Sequence, residues 1–139
     1  MKTAFLFLVL YCCIACSSNK VKQQMKISIE LDVFSGRPNP SWELNHSESG
    51  ELLKELSLLP EVDKNKAEFF DGLGYRGFII SVLDELKPTS QPVTYRVYKV
   101  FILSNDKVFS DKNSIENKLI EQGRNKGFAD LIDSIQINK

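Results

Sequence analysis

All three cysteines, Cys12, Cys13 and Cys16, fall within the first sixteen residues of a 139-residue chain. Whatever forms beyond them must hold together by apolar packing and hydrogen bonds, without a disulfide or a thiolate metal site. The chain is long enough to bury such a core once as a single domain. Its 18 basic and 18 acidic residues cancel to a formal charge of +0, so it lacks the electrostatic footprint of a nucleic-acid binder.

The first residues do not belong to that domain. Lys2 precedes an apolar run from Ala4 to Ala15, and Ser17-Ser18-Asn19-Lys20 follows Cys16. A basic residue, an apolar stretch and a small residue before a processing point make a secretory signal. The run is too short for a membrane span, which needs about 20 apolar residues. Nothing amphipathic marks it as a buried helix of a cytosolic protein. A non-lipidated signal cut near Ala15 is the simplest alternative.

The Ile14-Ala15-Cys16 ending resembles the lipobox of bacterial lipoprotein precursors, with Cys13 where that motif favours Leu. The resemblance implies cleavage after Ala15, lipidation of Cys16 and attachment to the cell envelope. Ser17, rather than Asp, after the modified Cys implies the outer membrane. Two or three acyl chains on one residue anchor stably, whereas one chain binds only marginally. The expected organisation is a signal peptide over 1–15, a lipidated Cys and polar tether over 16–26, and one domain over 27–137.

Within the domain, Ile27, Ile29, Leu31 and Val33 alternate with Ser28, Glu30 and Asp32, the period of a half-buried strand. Ser35 to Pro40 is a loop in which Gly36 can take positive φ and two prolines remove backbone donors. Ser41–Leu44 reads as a short strand. Leu52, Leu53, Leu56 and Leu59 predict a helix over 47–59, stopped by Pro60. Asn45 with Glu48 has capping-box spacing, with a weaker cap residue than Ser or Thr. Residues 61–71 read as a charged loop and Phe78–Leu83 as a strand. Val93–Leu103 reads as the clearest strand of all, rich in β-branched and aromatic residues. A turn at Ser104–Lys107 leads it into a hairpin with Val108-Phe109, and helices are predicted over 114–122 and 128–135. The expected fold is α+β, with one mixed or antiparallel sheet of about 4–5 strands packed by about three helices.

Two stretches carry a second resemblance. Phe34-Ser35-Gly36-Arg37-Pro38-Asn39-Pro40-Ser41-Trp42, followed later by Leu73-Gly74-Tyr75-Arg76-Gly77-Phe78, is similar to a pattern in small uncharacterised secreted or surface bacterial proteins. It implies a domain spanning most of 27–135 and no particular activity.

The chemistry on offer is that of recognition. Arg37 presents a planar fork of donors for carboxylate or phosphate. Asn39 supplies a donor and an acceptor, and Trp42 a flat apolar face. Together they would suit a sugar, a peptide terminus or an acidic partner. Each also has a structural reading: Arg37 paired with Glu30 or Asp32, Asn39 as turn chemistry before Pro40, Trp42 as core. Tyr75 and Arg76 divide the same way. GLGYRG lacks the Lys-Ser/Thr and following helix of a phosphate loop.

Catalysis finds little footing. His46 is the only histidine and stands in a polar stretch without a nucleophile-elbow signature. Asp84-Glu85 reads as surface charge in a turn. Asp106, Asp111 and Asn113 are oxygen ligands at loop spacing, without the Gly and distal Glu of an EF-hand. No cofactor or metal site is expected. The reading is a lipid-anchored envelope protein with a non-catalytic binding or structural role, toward an envelope protein, peptide or glycan. A hydrolase of an envelope polymer and a periplasmic immunity or inhibitor protein are the alternatives. A buried polar cleft containing His46 would favour the hydrolase; an exposed Arg37–Trp42 patch would favour binding.

Overall fold

The computed structural model describes residues 25–87 and 89–135. The signal segment, the lipobox and Cys16 lie outside the described residues. The chain runs β1 (Met25–Leu31), β2 (Ser41–Glu43), α1 (His46–Ser57), β3 (Glu61–Val62), β4 (Phe78–Asp84), β5 (Val93–Tyr98), β6 (Phe101–Ser104) and β7 (Lys107–Ser110). It closes with α2 (Ile115–Gly123), a wide turn over Arg124–Phe128 and α3 (Ala129–Ser134). The strands form one antiparallel sheet in the order β2-β1-β4-β5-β6-β7-β3.

This corrects the expected count. Among the described residues the sheet has seven strands rather than four or five, and because α2 runs on through the wide turn into α3, two helices rather than three accompany it. The predicted single strand over 93–103 is two strands. Tyr98 pairs with Phe101 across a two-residue turn at Lys99 and Val100. The 61–71 loop contributes β3, two residues paired with β7 at the sheet edge. The two predicted C-terminal helices run together as one helix, kinked where Gly127 takes φ 96°. β1 starts at Met25, two residues inside the expected tether, and pairs with β4 from that first residue.

Local chemistry explains the helix starts. Asn45 caps α1: its side chain accepts from Glu48 N–H at 3.0 Å, and Glu48 returns a bond to Asn45 N–H at 2.8 Å. α2 receives no bond from the Ser114 side chain. Asp111 instead accepts from Ile115 N–H (2.8 Å) and Glu116 N–H (3.0 Å), satisfying two orphan donors and placing a negative charge at the positive helix end.

One side of the sheet carries the core. Ile27, Ile29, Leu31, Phe78, Ile80, Val82, Val97 and Ile102 pack with Leu52 and Leu56 of α1 and Ile115, Leu119 and Ile132 of the kinked helix. The other side carries Glu30, Ile79, Arg96, Leu103 and Val108, as the cross-strand register requires. The chain between β3 and β4 crosses that second side as a strap. Lys64 lies 3.7 Å from Asp106, Asp71 accepts from Arg96 at 2.7 Å, and Arg76 reaches Asp32 beyond β1. Val108 is buried on that side, apart from the main core.

The register also defines two ends. Met25 faces Asp84 and Val82 faces Val93, so residue 25 and the β4–β5 connection share one end. Leu31 faces Phe78, which faces Val97, and Phe101 faces Ser110, so the 32–40 loop, the strap's exit and the β5–β6 turn share the other. A seven-residue strand is about 20 Å long.

Candidate functional site

The two motif stretches meet at the end of the sheet remote from Met25. Asp32 N–H donates to Gly77 O at 3.0 Å and Arg76 N–H to Asp32 O at 2.8 Å, extending the β1–β4 ladder past its last paired residues. That backbone pairing brings the Asp32 carboxylate to the Arg76 guanidinium. Nε donates to Oδ2 at 3.0 Å and Nη2 to Oδ1, the bidentate fork that arginine geometry favours. The same guanidinium also donates to Phe34 O (2.9 Å), Ser35 Oγ (3.3 Å) and Gly72 O (3.3 Å). It is therefore the tie between the 32–40 loop and the strap. The bond to Asp32, ahead of the opposing effect of burial, raises the Arg76 pKa above its already high value.

Asn39 closes the loop from within. Its Oδ1 accepts from Val33 N–H (3.1 Å) and Phe34 N–H (2.7 Å). Its Nδ2 donates to Glu30 Oε1 (2.8 Å) and Asp32 Oδ1 (3.3 Å). With Leu31 N–H bonded to Pro40 O at 2.9 Å, both stems of the loop are fixed. Asn39 is thus a structural residue and not a free recognition group.

Trp42 is core. It is 8% exposed, its ring lies edge-on to Phe78 at 6.2 Å and beside Phe128 at 5.8 Å, and Nε1 donates to Gln122 Oε1 at 2.9 Å. Gly123 lets the kinked helix approach this ring: a Cβ there would stand 3.1 Å from Trp42 and 2.8 Å from Ile132. The exposed Arg37–Trp42 patch that sequence suggested is therefore not formed.

Arg37 alone of the predicted trio faces solvent. Its Cζ lies 3.5 Å from the Phe34 ring centroid, so the planar group rests flat on the ring. Among the described residues it has no carboxylate partner: of the two carboxylates in its structural reading, Asp32 is taken by Arg76 and Glu30 accepts from Asn39. A stacked guanidinium keeps its in-plane N–H donors available to a carboxylate or phosphate.

A second buried carboxylate organises the neighbouring turn. Glu116 accepts from Tyr75 OH at 2.7 Å and from Lys99 N–H at 2.9 Å. Burial, and then the nearby Glu116 charge, push the Tyr75 hydroxyl well above its usual pKa of 10.0. Asp111 N–H donates to Val100 O at 2.8 Å. These two bonds hold a turn whose Lys99 adopts φ 53° without being glycine.

The remaining candidates separate. His46 is the exposed first residue of α1, so the buried cleft that would mark a hydrolase is not built around it. Asp84 accepts from Leu86 N–H and lies 3.7 Å from Lys87. Asp111 is a helix cap, whereas Asp106 lies in the β6–β7 turn with φ 62°. Among the described residues no three His, Cys, Asp or Glu side chains come together as metal ligands. None of their helices is long and apolar enough to cross a membrane.

Several clefts interrupt the surface of the described residues. A groove of about 190 Å³ between α1 and α2 is lined by Leu44, Leu52, Leu119, Glu48 and Glu55. Its Glu48 is committed to the cap and its Glu55 pairs with Lys118. A larger cleft of about 400 Å³ lies between the strap and the β5–β6 turn. Sequence reasoning missed this cleft and the roles of Asp32, Asp111 and Glu116. The available signals were a carboxylate at the end of β1's alternation and two aromatic residues, Phe69-Phe70, in an otherwise charged segment. Comparison with known proteins yields no match to a family model, a curated protein or a solved structure.

Proposed function

We propose that this chain is a lipid-anchored protein of the bacterial cell envelope whose domain binds an acidic group of a neighbouring protein, peptide or glycan through Arg37. Arg37 carries the reading: it is exposed and unpaired among the described residues, on a loop whose other polar side chains, Asp32, Ser35 and Asn39, are engaged in fixing it. A clamped loop loses little conformational freedom when a partner arrives, which is the energetic benefit of preorganisation. Support for the anchor comes from Ile14-Ala15-Cys16 after the apolar run and from the lack of any cysteine beyond Cys16. Nine peptide units connect Cys16 to Met25, a reach of at most about 30 Å.

Metabolic labelling with a fatty-acid analogue tests the anchor. The wild-type protein should be labelled and fractionate with membranes, and Cys16→Ser should be neither. An unlabelled wild-type band refutes it. Crosslinking in intact envelopes tests the site. Partner adducts formed by the wild type should be lost in Arg37→Ala and retained in Lys87→Ala at the opposite end; equal adducts in both would remove Arg37 from the reading.

A further inference from the structure

We propose that the cleft between the strap and the β5–β6 turn is a binding site for a small ligand that joins a flat aromatic ring to a carboxylate. This site is separate from Arg37 and does not depend on lipid anchoring. Its volume of about 400 Å³ falls in the range of small-molecule sites. Phe69, Phe70, Tyr98 and Phe101 line it, with Lys66 and Lys99. Phe70 is 43% exposed and Val100 59%, so apolar surface is left in water at the site.

Both walls are fixed before any ligand arrives. Arg96 holds the strap wall by donating to Phe70 O and to Asp71 Oδ1, and its Cζ lies 5.8 Å from the Phe69 ring. The opposite wall is the turn at Lys99, which Glu116 and Asp111 N–H hold in a left-handed conformation. Non-glycine residues persist in that region only where their surroundings enforce it, and such positions cluster at binding sites. Here the enforcement sets Lys99 Nζ 5.3 Å from the Tyr98 ring.

The charges choose the ligand's sign. Two ammonium groups, Lys66 and Lys99, stand against one carboxylate, Glu68, and neither lysine has an ion pair among the described residues. Aromatic walls with an excess of cation suit a ring bearing an anion better than a neutral or cationic ring.

The test uses the full chain in lipid nanodiscs, with empty nanodiscs as reference, and indole-3-acetate as probe. Amide shifts on titration should saturate and cluster at Phe69, Phe70 and Tyr98–Phe101. Indole and acetate, each supplying half of the probe, should bind at least tenfold more weakly. Phe70→Ala and Lys99→Gly should each weaken the probe at least fivefold, and Arg37→Ala should not. Lys99→Gly also relieves the left-handed strain, so its melting temperature should not fall, which separates lost binding from lost fold. Shifts that fail to saturate, indole bound as tightly as indole-3-acetate, or wild-type affinity in both cleft variants would overturn the proposal.

Discussion

Two arginines at one corner of the sheet have opposite duties. Arg76 is enclosed by Asp32, Phe34 O, Ser35 and Gly72, whereas Arg37 stacks on the Phe34 ring without an ion pair among the described residues. Removing one partner of a buried ion pair costs roughly 3–5 kcal/mol. The pair here is only partly buried and Asp32 keeps its Asn39 donor, so Arg76→Ala should cost about 2 kcal/mol, below that range. Arg37→Ala should change stability by less than about 0.5 kcal/mol, as surface substitutions usually do. Urea unfolding of the two variants checks the contrast. A charged residue is visible in sequence, but its partner is not. Asp32 and Arg76 meet because the β1–β4 register carries them together across 44 positions, and Arg37, far closer in sequence to Asp32, is left out. Tyr75 adds a pH dependence. Its folded pKa lies above its ordinary value of 10.0, so the neutral hydroxyl is the form the fold favours. Its contribution is complete below pH 10 and is lost as pH rises above that value. The melting temperature should therefore fall between pH 9 and 11 by less in Tyr75→Phe than in the wild type.

Among the elements, those with a strong period were the legible ones. The β1 alternation and the leucine spacing of α1 mark both, with every boundary shifted by two residues or fewer. The β6–β7 turn was also legible, and its Asn105 and Asp106 both take positive φ, as the tight hairpin turn demands. The β5–β6 turn was not, because Lys99-Val100 has no glycine, asparagine or proline. Its shape comes from a buried carboxylate 17 residues away. β3 was hidden because two residues have no period, and the helix kink because Gly127 reads as a stop between helices. Gly77 is where the strap enters β4, at φ 99°, and a Cβ there would lie 2.0 Å from Val97 O. Since that obstacle is backbone, Gly77→Ala should displace the strap. Amide exchange should rise over 70–77 and 98–101 first, while α1 retains its protection. Uniform wild-type exchange would show that the entry does not depend on this glycine.

At the scale of the whole molecule, the two ends of the sheet carry different features. If Cys16 is lipidated as proposed, the domain is joined to its anchor at the Met25 end, and the loop bearing Arg37 stands at the opposite end of a strand about 20 Å long. In that proposed form Arg37 lies on the side of the domain remote from its attachment point. Because no cysteine occurs beyond Cys16, a single introduced thiol can report position unambiguously. The direct measurement is energy transfer from a dye at Pro38→Cys or at Lys87→Cys to acceptor lipids, in vesicles carrying the lipidated protein. The account predicts weaker transfer from position 38, placing it farther from the bilayer by up to about 20 Å. Equal transfer from the two positions, or stronger transfer from position 38, would contradict it.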